Sequence, residues 1–352
     1  MRYLNLDKVK TGSKLGKDII YNGSQVLLKS GAILSDNIIL KLKEKGFTYV
    51  YIDDKLTSDI EIDEVIPQSI KNSLAIALNN VDIDKTVDIA REMTEKIYES
   101  RNIAIENYDP MFKDEYQHSL LVADLSVMLG KAIGYNESKL SDLASASLLH
   151  DIGKTCVDKK EMEEYGIDRL LKKLGISCTM DKYCDSIHSF LGYSILNKNV
   201  TISAVIKQAV LFHHENVDGT GELGVPGEKI CEFAKIIHIT NDFSRMITNP
   251  EKYNVSNTNE VIEYFESNAG TKYDLNLVKL FLNKIPFYPP GMTVELSNCM
   301  NAIVAENNVN FPSRPKILLE DGVKIDLMDI RFQSLTIVGI NLENKNSIHK
   351  QL

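Results

Sequence analysis

Residues 138–154, SKLSDLASASLLHDIGK, join the pattern of a buried helix to a pair of polar side chains. Apolar residues recur there at intervals of three and four, which is the spacing of a helix with one face in a core. The pattern closes on His150 and Asp151, although apolar helical sequence gives no packing reason to hold an imidazole beside a carboxylate. We therefore predict that this helix delivers both groups to a polar centre inside a helical domain.

The helical period extends from Pro67 to Pro286. Turn signals such as Asp109-Pro110 and Asn249-Pro250 separate the apolar-periodic segments. This pattern predicts one all-α domain over residues 67–288. Besides the segment at 138–152, its predicted helices are 69–80, 84–106, 112–133, 160–174, 184–197, 200–214, 228–247, 257–268 and 275–284.

The amino-terminal end has a different pattern. Residues 1–54 combine an Asn22-Gly23 hairpin signal with a helix that begins at Ser35 or Asp36, and strand-like runs flank both. These signals predict a small mixed α/β module. Residues 55–66 are acidic and unpatterned, and we take them as a linker.

The carboxy-terminal end changes to the two-residue period of β-strands. It is predicted to form a short β-rich appendage over residues 289–352, so that the fold class of the whole chain is mainly α. Neither end carries a residue set that suggests catalysis, and we expect both to serve interaction or the formation of a homodimer. The predicted strands of the appendage are 293–296, 302–305, 316–319 and 335–338.

Composition excludes several classes of partner. The chain has 352 residues and a net charge of −9, which argues against a DNA or RNA duplex because no basic stripe is present to neutralise phosphates. Its five cysteines show no CxxC spacing, which favours a reducing compartment over disulfides or a zinc ribbon. No apolar run approaches the roughly 18 to 20 residues that span a bilayer. We expect a cytoplasmic protein without membrane insertion.

Six of the seven histidines lie between residues 118 and 238, each on or at the end of a predicted helix. Taken singly, each has an ordinary explanation as a satisfied core histidine or as a cation near a helix carboxy terminus. Together with nearby aspartates they form a set of neutral imidazole and carboxylate ligands of the kind that hold iron, manganese or zinc. We therefore predict a centre for two transition-metal ions inside the helical domain. The candidates are His118, His150, Asp151, His188, His213, His214 and Asp242.

The motifs around these residues resemble those of the HD phosphohydrolase superfamily, and in combination those of its HD-GYP subfamily, bacterial phosphodiesterases of cyclic di-GMP. The resemblance covers roughly residues 110–285 and extends to the amino-terminal module. It implies an all-α HD-type helical domain. The matching motifs are His118-Ser119, His150-Asp151-Ile152-Gly153-Lys154, His188 with Gly192-Tyr193, His213-His214-Glu215 with Asp218-Gly219, and Asp242.

By this resemblance, the seven candidates are ligands of two divalent ions, most readily iron or manganese, with Asp151 bridging them. Such a pair lowers the pKa of a bridging water, which becomes the hydroxide that attacks a phosphodiester. Lys154 is then a second catalytic residue, because its charge neutralises the phosphate in the transition state. His238, one turn before Asp242, is either a packed helix residue or a partner of that ligand.

The chain departs from the subfamily pattern where substrate is bound. The Gly-Tyr-Pro step is replaced by Gly221-Glu222-Leu223, and the Arg-Pro-Tyr segment by Glu251-Lys252-Tyr253. A guanidinium clamp cannot be replaced by glutamate, although a nearby cation can compensate. Asp114 stands where members with a third metal carry glutamate, which leaves a third ion open. The predicted substrate contacts are Lys154, Glu222, Arg245, Lys252 and Tyr253.

Three functions follow from these motifs. The first is a metal-dependent phosphodiesterase that hydrolyses a cyclic dinucleotide, above all cyclic di-GMP, to the linear dinucleotide or to GMP. The second is a weakly active or inactive receptor of cyclic dinucleotides, since the altered steps at Glu222 and Glu251 affect substrate and not metal. The third is a hydrolase of another cyclic dinucleotide, in which Glu222 accepts a hydrogen bond from a base amino group.

Overall fold

A computed structural model describes residues 1–21, 25–47, 49–60, 66–99, 115–155, 187–308 and 311–339. Several sequence predictions lie outside these residues. They are the Asn22-Gly23 turn, the helix at 160–174, and the third-metal candidate Asp114.

The amino-terminal residues form two small antiparallel sheets around one helix. Strands β1 (Arg2–Asn5), β2 (Lys14–Leu15) and β5 (Tyr49–Asp53) pair in the order β1-β5-β2, while β3 (Ile19–Tyr21) pairs with β4 (Gln25–Leu28). Helix α1 (Asp36–Glu44) begins as predicted, because the Ser35 side chain accepts a hydrogen bond from the Ile38 amide. These elements enclose a hydrophobic cluster of their own: Leu6, Leu15, Ile19, Leu34, Ile39, Leu42, Phe47, Val50 and Ile52.

The middle of the chain is helical, as the sequence predicts. Its helices are α2 (Gln68–Asn79), α3 (Ile83–Glu99), α4 (Glu115–Ile133), α5 (Glu137–Leu149), α6 (Ile187–Asn197), α7 (Ala204–Phe212), α8 (Glu232–Thr248), α9 (Pro250–Tyr253), α10 (Thr258–Ser267) and α11 (Leu275–Lys284). The predicted fold class, mainly α, is confirmed. None of the helices in the described ranges has the length and apolar content needed to span a membrane.

Helix α4 is the centre of this arrangement. Every side chain from His118 to Gly130 is buried, because α5, α8, α3 and α11 pack around the helix. Burying a helix on all sides requires apolar residues around its whole circumference, and α4 has them. A histidine at position 118 therefore enters the interior of the protein and not its surface.

The carboxy-terminal sheet completes the same core. Strands β6 (Thr293–Leu296), β7 (Asn301–Glu306), β8 (Lys316–Leu319), β9 (Lys324–Asp326) and β10 (Ile337–Gly339) form an antiparallel sheet in the order β10-β6-β7-β8-β9. Its apolar residues, such as Val294 and Val304, belong to the same hydrophobic cluster as α4 and α8. The division of the chain at residues 54, 66 and 288 stays a prediction.

Candidate metal centre

The structure brings six of the seven predicted ligands together in two groups. Within each group the ligand atoms lie within 4.8 Å of one another. Asp151 joins the groups, because its Oδ2 is 3.2 Å from His150 Nε2 while its Oδ1 is 3.0 Å from His188 Nε2. The first group is His118, His150 and Asp151, and the second is His188, His213 and His214.

The ligands stand on helices or just after them. Helix α4 carries His118 and α6 carries His188, whereas His150 and His213 follow directly on the last residues of α5 and α7. Since all these side chains are buried, their positions are fixed by the packing of the helices. Asp151 then leads into a short 3₁₀ turn, Ile152–Thr155, which carries Lys154.

Close backbone packing sets the spacing between Asp151 and His188. A Cβ atom at Gly153 would lie 1.9 Å from the carbonyl oxygen of His188, so no other residue fits there without backbone movement. Gly192, one turn further along α6, faces the same 3₁₀ turn. The Ile-Gly step after the His-Asp pair thus lets α6 approach closely enough for His188 to reach Asp151.

Hydrogen bonds orient two of the rings as metal ligands. His150 Nδ1 is 2.7 Å from the Ser147 carbonyl oxygen, and His213 Nδ1 is 2.7 Å from that of Val210. A carbonyl only accepts, so each Nδ1 carries a proton, and in the neutral form of the ring Nε2 keeps a lone pair for a metal ion. The buried Nε2 of His150 has no hydrogen-bond partner and faces Asp151 Oδ2. Two acceptors in this position fit a cation between them.

The second group shows the same shortage of donors. His188 Nε2 lies 3.2 Å from His213 Nε2, 3.1 Å from His214 Nε2 and 3.0 Å from Asp151 Oδ1. One ring nitrogen carries at most one proton, so it cannot donate to all of these neighbours. A divalent ion shared by three imidazoles and a carboxylate satisfies them together. The donor set therefore fits a transition metal.

The protonation states also suit a metal centre. Burial lowers the pKa of His118 and of His213 well below the ordinary value, and it lowers the pKa of His214 to about 3. These rings are neutral at neutral pH, which is the form that binds metal. Burial alone would raise the pKa of Asp151, but contacts with His150 and His188 lower it well below its usual range. The bridging carboxylate is consequently ionised.

Two cationic side chains approach the centre from its outer side. Lys154 Nζ and an Arg245 guanidinium nitrogen each lie 2.6 Å from Asp151 Oδ2. Glu115 contacts both cations, at 3.2 and 3.5 Å. The burial of Arg245 would lower its pKa, but Asp151 and Glu115 outweigh that effect and raise it. Lys154 and Arg245, two of the predicted substrate contacts, thus lie beside Asp151, and their contact with substrate stays a prediction.

The structure does not bring the seventh predicted ligand, Asp242, into either group. Its Oδ2 lies 2.7 Å from Lys272 Nζ, 2.7 Å from the Tyr273 hydroxyl and 3.5 Å from His238 Nε2. Burial would raise the pKa of Asp242, but His238 and Lys272 lower it far below the usual range. His238 in turn contacts the Glu215 carbonyl oxygen through Nδ1, at 3.0 Å. His238 is thus buried and contacts Asp242, and a role as partner of a metal ligand stays a prediction.

Asn241, the neighbour of Asp242 on α8, is the residue that faces the ligand group of His118. Its Oδ1 lies 3.0 Å from His118 Nε2 and accepts a hydrogen bond from Arg245 Nε at 3.2 Å. Adjacent side chains on a helix point about 100° apart, so the two residues face different surroundings. The signal that could have found Asn241 is its spacing from Arg245: it lies one helical turn before that residue, so the two side chains share a face of α8.

The remaining predicted substrate contacts, Glu222, Lys252 and Tyr253, do not belong to either ligand group. Glu222 is exposed in a loop that Glu215 anchors, since the buried Glu215 carboxylate accepts from the amides of Leu223 and Val225 at 2.7 and 2.9 Å. Lys252 and Tyr253 lie at the end of α9. Their roles as substrate contacts stay predictions.

Comparison with known proteins identifies the family. Residues 100–277 match the family model described as the HD domain, which is just over half of the chain. The chain therefore belongs to the HD domain family, as its motifs predict. The centre of two histidine groups around Asp151 lies within the matched residues.

Two curated relatives and one solved structure are similar to this chain. The cyclic di-GMP phosphodiesterase PdeB of Borreliella burgdorferi is 28% identical over 214 residues, 59% of this chain and 53% of the relative. The cyclic di-GMP phosphodiesterase PA4108 of Pseudomonas aeruginosa is 24% identical, over 67% of this chain and 56% of the relative. The chain thus spans about half the length of these relatives. The structure of Bd1817, a HDG"Y"P protein from Bdellovibrio bacteriovorus, aligns with a TM-score of 0.46 and 15% identity, covering 79% of this chain and 97% of that one.

Proposed function

We propose that this protein is a metal-dependent phosphodiesterase that hydrolyses a cyclic dinucleotide, with cyclic di-GMP as the first candidate, to the linear dinucleotide or to GMP. The observation that carries the proposal is the ionised Asp151 carboxylate, which joins two groups of imidazoles and contacts Lys154 and Arg245 through its outer oxygen. The relatives named cyclic di-GMP phosphodiesterases support the choice of substrate.

Two divalent ions, iron or manganese, suit this donor set. Asp151 would hold both, one with His118 and His150 and the other with the three remaining histidines. Ions so bound lower the pKa of a water molecule and withdraw charge from a phosphoryl oxygen. We also infer a cytoplasmic location, because the cysteines that the structure describes, Cys231 and Cys299, are free.

The chain's own residues supply binding and charge neutralisation. Lys154 and Arg245 are half-buried cations beside Asp151, close enough to receive the oxygens of a phosphodiester placed against the centre. The guanidinium of Arg245 forms two parallel hydrogen bonds with such oxygens more readily than an ammonium does. Arg245 therefore offers the clamp that Glu251 cannot provide.

The decisive experiment measures metal content and turnover on one preparation. Protein purified without oxygen should contain iron or manganese and should convert cyclic di-GMP. Asp151→Asn removes the charge that both groups share, so we expect metal content to fall to background and turnover to drop by about 100-fold or more. Asp142→Asn makes the same change on α5 at a residue that lines a separate surface pocket, and it should keep both properties.

The outcome also separates the alternatives. Full metal loading without turnover of cyclic di-GMP, of mixed cyclic dinucleotides or of linear dinucleotides would contradict a phosphodiesterase. Tight cyclic di-GMP binding in the same samples would then assign the protein as a receptor. Turnover of a mixed cyclic dinucleotide alone would correct the substrate and leave the reaction standing.

A further inference from the structure

The two oxygens of Asp151 meet different surroundings. Oδ1 faces imidazole nitrogens, with His188 at 3.0 Å and His213 at 3.9 Å. Oδ2 also faces an imidazole nitrogen, His150 Nε2 at 3.2 Å, but in addition it contacts two cations, Lys154 and Arg245, both at 2.6 Å. A divalent ion on the Oδ1 side joins neutral ligands, whereas an ion on the Oδ2 side must share its carboxylate oxygen with two positive charges.

Asn241 holds Arg245 in this position. The two residues are one helical turn apart on α8, and Arg245 Nε donates to Asn241 Oδ1 at 3.2 Å. Asn241 is buried, and the side chain of Arg245 is only 22% exposed. The guanidinium is therefore held in place by packing. An amide brings no charge of its own, in contrast to a carboxylate, and so does not attract a metal ion to this side.

Asn241 also engages His118, the first ligand of that group. His118 Nε2 is 3.0 Å from Asn241 Oδ1, which makes the ring nitrogen the donor, while Nδ1 is 2.9 Å from the Ser244 hydroxyl. Both nitrogens of His118 are hydrogen-bonded, whereas the Nε2 of His150 has no partner. To bind a metal through Nε2, His118 must move its proton to Nδ1 and give up the bond to Asn241.

We infer that the two metal subsites are unequal and that Arg245 and Asn241 make them so. The group of His188, His213 and His214 with Asp151 takes the first ion. The group of His118 and His150 with Asp151 takes a second ion weakly, because Arg245 competes as a cation for the same oxygen and Asn241 holds His118 as a donor. This inference rests on the proposed metal-dependent function, and it makes activity depend on the free metal concentration.

The test is metal binding by the full chain, measured apart from turnover. Protein stripped of metal with a chelator is titrated with Mn²⁺ in the absence of oxygen. Calorimetry measures the heat of binding, and metal analysis measures the number of bound ions. The spin-coupled signal of a manganese pair reports binding of the second ion. We expect one tight site and a second that is about tenfold weaker or more, as repulsion from nearby positive charges requires.

Arg245→Met keeps the aliphatic stem and removes the charge, so the second ion should tighten by about tenfold and the pair signal should appear at lower metal concentration. Asn241→Asp should act in the same direction by adding a carboxylate that faces His118, and it serves if Arg245→Met does not fold. Arg331→Met removes an arginine that is 75% exposed and pairs with Asp329 on the carboxy-terminal unit, and it should leave both affinities unchanged.

Equal affinity for two ions in the unmodified protein, or a second site unmoved in both variants, would overturn the inference. The proposed function fails separately. If binding is stepwise and the variants shift it as expected, but the same samples turn over no cyclic dinucleotide at any loading, the unequal subsites stand and the phosphodiesterase does not.

Discussion

At the scale of single residues, the sequence predicts Asp242 as the residue of α8 that joins the metal ligands, but its neighbour Asn241 is the one that contacts His118. Asn241 faces His118 and Arg245, whereas Asp242 faces Lys272, Tyr273 and His238. The carboxylate of Asp242 neutralises a half-buried lysine and accepts from a buried phenol. Its charge is therefore already used within the fold, by partners other than His118.

Substitution at Asp242 tests this division of roles. Asp242→Asn should leave the metal content within about twofold of the unmodified protein, because the residue belongs to neither ligand group. It should lower the free energy of unfolding by about 1–3 kcal/mol, since Lys272 loses its counter-charge at a site that is partly screened by solvent. Metal analysis and urea unfolding measure the two effects. A loss of metal as complete as in Asp151→Asn would restore Asp242 as a ligand.

The buried histidines make stability depend on pH in a definite direction. Burial lowers the pKa of His214 to about 3, while an unfolded histidine has a pKa near 6.5. Below pH 6.5 the unfolded chain therefore binds a proton that the folded chain does not. Stability falls as the pH falls, by at most about 1.4 kcal/mol per pH unit for each such histidine.

Urea unfolding of the metal-stripped protein between pH 7 and pH 5 checks this expectation. His214→Asn removes one of the titrating rings, so its free energy of unfolding should change less steeply with pH than that of the unmodified protein. His118 and His213 act in the same direction, so some dependence remains in the variant. Identical slopes for the two proteins would show that His214 titrates normally in the fold.

At the scale of elements, the centre depends on how closely the 3₁₀ turn after Asp151 packs against α6. The Cβ position at Gly153 lies against backbone atoms of His188 and Gly192, which cannot rotate away. The Cβ position at Gly192 is 2.8 Å from a methyl group of Val210, a side-chain atom that can adjust. A side chain at Gly153 would therefore disturb the contact between the turn and α6 more than a side chain at Gly192 would.

Gly153→Ala should separate the turn from α6 and so pull His188 away from Asp151. We expect a loss of about 1–3 kcal/mol in the free energy of unfolding, the usual cost of overpacking, together with weaker metal binding. Gly192→Ala adds the same methyl group against a movable neighbour and should be the milder change in both measurements. The explanation would be wrong if Gly153→Ala bound metal as tightly as the unmodified protein.

At the scale of the whole molecule, the sequence predicts the helices and the gathering of the ligands but not every direction within them. Apolar periodicity locates α3, because that helix buries one face and exposes the other. It could not separate Asn241 from Asp242, since a shift of one residue on a helix lies within the error of a helix period. Strand β9 has three residues, too few to show a period of two. Nor does a pattern of apolar residues reveal the role of Arg314, which donates to the carbonyls of Leu327, Phe332 and Leu335 and so ties the carboxy-terminal sheet together.

The amino-terminal residues and the carboxy-terminal sheet, which are far apart in sequence, are in contact at Tyr3. The Tyr3 amide donates to the Gly291 carbonyl at 2.7 Å, and the Thr293 hydroxyl donates to the Tyr3 carbonyl at 3.2 Å. The Tyr3 ring is buried and stacks on Tyr49, and it belongs to the hydrophobic cluster of the helices and the carboxy-terminal sheet. The amino-terminal residues have a core of their own, and Tyr3 is the buried side chain that joins them to the main cluster, with Tyr49 and Tyr51 packed beside it.

Tyr3→Ala should therefore uncouple the amino-terminal residues from the helical core. Removing a buried aromatic ring costs about 3–5 kcal/mol, and we expect calorimetry to show a second unfolding transition below the main one. Tyr21→Ala is the matched control, because Tyr21 packs within the separate amino-terminal cluster and contacts Phe47. Tyr21→Ala should weaken the amino-terminal cluster but keep the Tyr3 contact, so that cluster should stay coupled to the helices. A single cooperative transition in Tyr3→Ala would mean that the contacts left without the ring suffice to join the two ends. Those contacts include the bonds of the Tyr3 backbone to the Gly291 carbonyl and the Thr293 hydroxyl, and the hydrogen bond of Arg2 to Thr293.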